Sequence, residues 1–492
     1  MPHSAWPDHP RIYEINAWVW LQDLSLRARR PVTLAGVPEE ALEPAGHFDA
    51  VWLMGVWQRS PKARLLAVNH PGLRREFHEV LSDFSPADVT GSPYAVQAYE
   101  VDPHLGGAEG LAVFREQLAR RGLRLMLDFV PNHVALDHPW TRDCPDLFMS
   151  GTEKDLEAAP GQFFRSGGRI FAHGRDPYFP PWTDTAQIHA FSPQAREQAL
   201  LTLSRLAGIC DGVRCDMAML LLTQIFLRTW GSRAGEPPRR EFWEEIIPPV
   251  KKIRPDFCFL AEVYWDFEWT LQRLGFDYCY DKRLYDRLLH EDARAVSLHL
   301  WAEWEYQRRL LRFIENHDEP RAAAVFGLER SRAAALLAVT LPGAVLIHEG
   351  QMHGRRLKLP IQLGRRPAEL DHPELLKYYE RLLDLSGPDM KNGAWGLCRV
   401  EPRGPENATH RNLIATLWQQ DDRRRLVVVN FSAAPAQGHV RLGGVSYGDR
   451  SWRFTDLLTD GRYEYQGADL RRAGLYVDLP AWGGHLFSVQ PA

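Results

Sequence analysis

Two stretches of the chain each end an apolar run on a single carboxylate. Asp211-Gly212-Val213-Arg214-Cys215-Asp216 carries Asp216 to the end of a β-type run, and Phe259-Leu260-Ala261-Glu262-Val263-Tyr264-Trp265 does the same for Glu262. A paired-carboxylate enzyme built on parallel strands requires this placement, because its two acids must meet from neighbouring strand ends. Two further runs end the same way: Leu125-Met126-Leu127-Asp128-Phe129-Val130-Pro131-Asn132-His133 upstream and Phe313-Ile314-Glu315-Asn316-His317-Asp318-Glu319 downstream. Four acidic strand ends in one chain make a constellation.

In this order the four segments resemble the four signature regions of the α-amylase superfamily of glycoside hydrolases: D-x-x-x-N-H, G-x-R-x-D, a strand ending in a lone Glu, and x-x-N-H-D. Every polar position that carries chemistry in those motifs is present. The resemblance implies an α/β fold, a (β/α)8 TIM barrel with an inserted domain B and a C-terminal antiparallel β-sandwich, acting on α-glucosidic linkages by double displacement. Cleavage with retention needs a carboxylate nucleophile and a protonated acid about 5–5.5 Å apart. Asp216 is expected as the nucleophile, kept ionised by Arg214, which lies two residues earlier and shares its face of the strand. Glu262 is expected as the general acid and base, with the apolar neighbours Val263, Tyr264 and Trp265 raising its pKa.

The resemblance assigns Asp318 as a third carboxylate that grips sugar hydroxyls. His317 and His133 would donate hydrogen bonds to the same sugar, and Asp128 would orient Arg214. Tyr94 fits the family pattern Gly-Tyr-x-x-x-Asp-Tyr, with Pro93 for Gly and Ala98 for Asp, and is either a stacking platform or a core ring. Trp18, Trp57, Trp182 and Trp265 are read as sugar contacts or core rings alike, and Glu349 as a substrate contact or a partner of Arg355. A transglycosidase or sugar isomerase of the same superfamily shares all of these motifs. A scaffold subunit without catalysis does not need Asp216 and Glu262, since burying two like charges gains it nothing.

Many amylases of this family hold calcium beside domain B, and Asn132 matches one ligand. Where the family often carries Lys-His after the nucleophile this chain has Met219-Leu220, and domain B offers only scattered carboxylates such as Asp176 and Asp184. A hard cation wants about six to eight oxygens. The expectation is therefore no cofactor and no metal, with Asn132 hydrogen-bonding backbone at the domain B junction. Loss of the cation tilts the expected substrate from long starch chains to short oligosaccharides.

Eight strands must position these groups: Arg11–Trp20, Phe48–Trp57, a third ending at Asp128, Gly212–Ala218, Phe257–Trp265, Phe276–Tyr280, Leu310–Asn316 and Ala344–Gly350. Helical spacing marks Gly110–Arg121, Pro193–Gly208 and Arg239–Lys252. A polar, Pro- and Gly-punctuated loop is expected between Gln58 and Tyr99. The expected organisation is barrel over 1–132, domain B over 133–190, barrel again over 191–395 and a β-sandwich over 396–492, where runs such as Leu426–Ser432 and Gly474–Pro480 alternate.

With 59 basic against 63 acidic residues, a formal charge of -4 leaves no basic footprint for nucleic acid and no polybasic membrane patch. The expected partner is a neutral α-linked oligosaccharide or glucan, and composition leaves the oligomeric state open. The stretch Met1–Pro7 lacks a charged and apolar leader pattern, so a soluble, cytoplasmic protein is expected. The six cysteines show no C-x-x-C spacing and are expected as reduced thiols. The charged runs Arg239-Arg240-Glu241 and Asp421–Arg425 read as solvated faces.

Overall fold

A computed structural model describes residues 6–387, 390–391, 393–421, 423–445 and 447–492. Met1–Ala5 of the stretch read for a leader, and Asp422 of the charged run, lie outside the described residues. Eight strands, β1 (Arg11–Asn16), β2 (Ala50–Met54), β3 (Arg124–Phe129), β4 (Gly212–Cys215), β5 (Cys258–Ala261), β6 (Tyr278–Tyr280), β7 (Leu310–Arg312) and β8 (Ala344–His348), follow one another around a closed barrel. The near-continuous apolar runs are explained by burial on both faces: every residue of β2, β3, β4 and β5 is buried.

The chain divides into two compact units. Residues 12–280 and 358–368 form the body of the first, and residues 281–357 and 369–492 that of the second. In the first, β1 to β6 pair in parallel. Arg214 on β4 stands opposite Asp128 on β3, and this register brings the two residues to one level of the sheet. The ladder runs one step past each strand, because Asp216 N donates to Phe129 O at 2.8 Å and Glu262 N to Cys215 O at 3.0 Å. Within the inserted segment, His133–Ala135 pairs antiparallel with Thr185–Gln187, and Phe163–Ser166 with Arg169–Ala172.

The strands are shorter than their apolar runs. β1 stops at Asn16, whose side chain accepts from Val19 N and caps a helix over Ala17–Ala28. β2 stops before Gly55, which sits at φ 77, and Trp57–Arg59 instead pairs antiparallel with Val96–Val101. The expected loop after Gln58 holds two helices, Pro61–Asn69 and Pro71–Val80, each opened by a side-chain cap and a proline in its first turn. β4 ends before Asp216 and β5 before Glu262, and each chain then turns through a left-handed non-glycine residue: Met217 at φ 43, and Trp265 and Asp266 at φ 64 and 65. Hydrophobicity continues past these strand ends because residues beyond them such as Ala218, Met219 and Val263 are buried, so periodicity overruns the strand. β6 begins at Tyr278 rather than Phe276, β7 ends at Arg312 rather than Asn316, and β8 ends at His348 rather than Gly350.

The second unit carries β7 and β8, which pair in parallel, and two antiparallel C-terminal sheets. The larger has six strands, with Leu413–Gln420 and Arg423–Asn430 near its centre, and the smaller has three. Their buried faces share a core that includes Leu417, Leu426, Val440, Trp452 and Phe487. A helix over Gly467–Ala473 interrupts the strand pattern. Trp418 Nε1 donates to Thr340 O at 2.8 Å and ties the larger sheet to the helix Gly327–Thr340. All six cysteines are free thiols. No helix of the described residues is long and apolar enough to cross a membrane.

Candidate active site

Arg214 is the centre of the polar cluster in the first unit. Its side chain is 0% exposed; Nη1 donates to Asp216 Oδ1 at 2.6 Å and lies 3.8 Å from Asp128 Oδ1, while Nη2 lies 2.8 Å from Glu262 Oε2. One guanidinium therefore faces three carboxylates. Its Cζ also sits 5.0 Å from the ring centre of Tyr94 and 5.3 Å from that of Trp52. Burial alone would lower the arginine's pKa, but the surrounding Glu262, Tyr94, Tyr280 and Asp216 hold it well above its ordinary value.

The two outer carboxylates are held differently. Asp128 accepts from Trp52 Nε1 at 3.2 Å and from Gly55 N at 3.0 Å, and its carbonyl accepts from Trp57 Nε1 at 2.8 Å, so it anchors the cluster to β2. Glu262 accepts from Met217 N at 2.6 Å and from the Tyr264 hydroxyl at 2.8 Å. The left-handed turn at Met217 aims that N–H at the carboxylate. Glu262 thus lies among a cation and two donors, not in the purely apolar pocket that Val263, Tyr264 and Trp265 implied. The sequence treated Tyr264 as apolar bulk, whereas its hydroxyl is the part that matters here.

His133 is buried in the inserted segment against Trp182, with ring centres 5.0 Å apart, and burial lowers its pKa to about 3, so the imidazole is neutral. Trp265 meets Tyr178 edge to face at 4.7 Å. Trp18 stacks on His104 at 4.7 Å with Arg59 over its ring at 4.9 Å, and Trp57 is 1% exposed, so both are engaged by protein groups.

In the second unit, the segment after β7 turns on Asn316, whose Oδ1 accepts from the N–H groups of Asp318 and Glu319, both at 2.9 Å. Behind it Glu315 is fully buried, pairing with Arg321 at 2.7 Å and accepting from Ala322 N. Burial pushes the Glu315 pKa up, but Arg321, His348 and the Ala322 N–H outweigh it and hold the carboxyl below its usual range. His317 is buried with Nε2 2.9 Å from Asp318 Oδ2, while the Asp318 side chain is 38% exposed. Glu349 lies 3.8 Å from Arg355, the pairing that its sequence context left open.

A family model described as "Alpha amylase, catalytic domain" matches residues 47–158. The α-amylase 3 of Dictyoglomus thermophilum is 23% identical over 307 residues, covering 57% of this chain and 57% of that protein. A cyclomaltodextrinase of Geobacillus thermopakistaniensis is 24% identical over 272 residues, 52% of this chain and 42% of that protein. The chain thus spans about half the length of these curated relatives. The solved maltogenic α-amylase of Thermotoga neapolitana superposes with a TM-score of 0.69 at 18% identity, covering 98% of this chain and 99% of that one. The α-amylase catalytic-domain model thus matches part of the first unit, and the fold is shared with solved α-amylases.

The site departs from expectation at Asn132. Its side-chain Oδ1 accepts from Gln187 Nε2 at 2.9 Å, and its carbonyl accepts from the same amide and from Ile188 N. The partner is a side chain on the strand returning from the inserted segment, not backbone. Gln187 is one of a buried pair that no motif marks, because its role exists only once His133–Ala135 and Thr185–Gln187 lie side by side. Asp176 spends one carboxylate oxygen on Tyr178 N and Phe179 N. Among the described residues no cluster of three or more His, Cys, Asp or Glu is arranged to hold a metal ion. Met219 and Leu220, which stand where many α-amylases carry Lys-His, are 0% and 2% exposed in a short 3-10 turn.

Proposed function

We propose that this chain is an α-amylase family member, a retaining glycoside hydrolase acting on α-glucosidic linkages of α-glucans, and on short maltooligosaccharides in preference to long chains. The observation that carries the reading is the single buried guanidinium of Arg214 that contacts both Asp216 and Glu262. Such an arrangement keeps Asp216 ionised as nucleophile and fixes the two acids side by side, the requirement of double displacement. Asp216 attacks the anomeric carbon as Glu262 gives its proton to the departing glycosidic oxygen. Glu262 then takes a proton from the incoming water, which cleaves the glycosyl ester.

The acid role requires a proton on a carboxylate that the resting contacts favour as an anion. In this reading the anionic Asp216 beside Glu262 favours the protonated acid before attack, and loss of that charge as the glycosyl ester forms leaves Glu262 as the base for the incoming water. Asp318 is the third carboxylate by its motif, with His317 and neutral His133 toward the sugar hydroxyls. Tyr94 contributes the ring face opposite Arg214. The apolar Met219-Leu220 turn offers no cation to a long leaving-group chain, which is why short substrates are favoured. The proposal includes function in the cytoplasm without a metal or other cofactor, and the organisation into 1–132, 133–190, 191–395 and 396–492.

The test is the anomer released in the first minutes of reaction with maltotriose, followed by proton NMR. The α-anomer is expected, and an initial β-anomer sinks the mechanism. Products longer than the substrate would assign the second step to transfer rather than hydrolysis.

A further inference from the structure

The second unit contains a cavity of about 470 Å³ that involves none of the candidate active-site residues. Arg294 on the helix Ala293–His299 and Trp301 just beyond it line the cavity. So do His410 and Arg411, from the 3-10 turn Thr409–Asn412, and Arg399, on the strand Arg399–Glu401. Its apolar lining includes Val400 and Leu413. The volume lies within the range of about 300–1,000 Å³ for small-molecule sites.

Three properties narrow the ligand. Trp301 is 75% exposed, a large apolar surface left in water, of the kind that stacks on the C–H face of a sugar ring. Three arginines line the cavity and no carboxylate does. Among the described residues no carboxylate pairs with Arg294 or Arg411, and the one near Arg399, Glu401 at 3.5 Å, is also held by Arg441 at 2.8 Å. A neutral glucan has no use for this excess of guanidinium. A phosphate does, because the planar fork matches its oxygens.

We propose that this cavity binds a phosphorylated sugar, with the ring against Trp301 and the phosphate held by Arg294, Arg399 and Arg411. The inference does not depend on the chemistry assigned to Asp216 and Glu262.

Calorimetric titration of the full chain with glucose 6-phosphate, glucose and inorganic phosphate tests it. Glucose 6-phosphate is expected to bind at least about tenfold more tightly than either fragment, the worth of one extra good contact. Trp301→Ala and the double variant Arg294→Ser/Arg411→Ser should each weaken it about tenfold or more, while Asp216→Asn leaves it unchanged. For the unmodified protein, raising salt from about 50 to 500 mM should weaken binding through screening of the arginines. Absence of binding, equal binding of glucose, equal binding of inorganic phosphate, or affinity that survives both variants and high salt would each overturn the proposal.

Discussion

Arg214 carries two opposite obligations: it neutralises Asp216 and it touches Glu262. Removing one member of a buried charge cluster leaves the others uncompensated, which typically costs about 3–5 kcal/mol. Arg214→Met is therefore expected to lower stability by about that amount as well as abolish turnover, measured by urea unfolding; a stability within about 1 kcal/mol of the parent would show that the cluster is not held by this charge. In Glu262→Gln the amide oxygen can accept from Met217 N and the amide NH2 can donate to the Tyr264 hydroxyl oxygen, while Arg214 keeps its charge partner Asp216. Glu262→Gln should thus fold normally and lose activity on maltooligosaccharides by about 10²–10⁴-fold, yet far less on an α-glucosyl fluoride, which needs no protonation to depart. Equal losses on the two substrates would remove Glu262 from the acid role. Tyr264 itself was legible only as an apolar neighbour, because the sequence does not reveal that the turn after β5 brings the hydroxyl back onto Glu262.

At the scale of elements, β4 and β5 end one residue before the acids they present, Asp216 and Glu262. The left-handed turns at Met217 and at Trp265-Asp266 then fix the rim. The four motifs identified those strand ends because they are local, each within about ten consecutive residues. The return strand of the inserted segment is different: Thr185–Gln187 meets His133–Ala135 across fifty residues, and only that pairing puts Gln187 on Asn132. If this amide clamp closes the base of the segment without calcium, dialysis against a chelator should leave activity and melting temperature unchanged. Gln187→Ala, which strands buried polar groups of Asn132, should lower stability by about 1–3 kcal/mol. A chelator-induced loss that calcium alone restores would show that a metal holds this junction.

Across the whole molecule, buried histidines set an acid limit. Burial lowers the pKa of His133 to about 3 and of His138 to about 4, and burial followed by the nearby Lys391, Arg308 and Arg312 lowers His9 to about 3. Each is neutral in the folded chain while the unfolded chain takes up a proton below about pH 6.5, so stability is lost as pH falls from there toward 4 or 3. The penalty grows by about 1.4 kcal/mol for each pH unit that one such histidine stays neutral. Melting temperature should therefore fall steadily between pH 6.5 and 4.5, and His138→Gln should flatten the slope. An identical slope in that variant would place the acid sensitivity elsewhere.

The sequence by itself determined the barrel and its eight strands, and it marked Asp128, Arg214, Asp216, Glu262 and the Asn316-His317-Asp318 segment as candidates, because strand burial and motif chemistry are written in consecutive residues. It overran the strand ends, since a buried rim is as apolar as the strand that feeds it, and it missed the two helices after Ser60, whose polar faces resemble a loop. Only the tertiary structure decided what each acid touches. That Glu262 meets Arg214, Met217 N and Tyr264 rather than an apolar wall, and that Asn132 meets Gln187 rather than backbone, depends on elements far apart in the chain arriving at one place. A carboxylate's chemistry is set by that neighbourhood, because charge and donors act through space over a few ångströms and not along the chain.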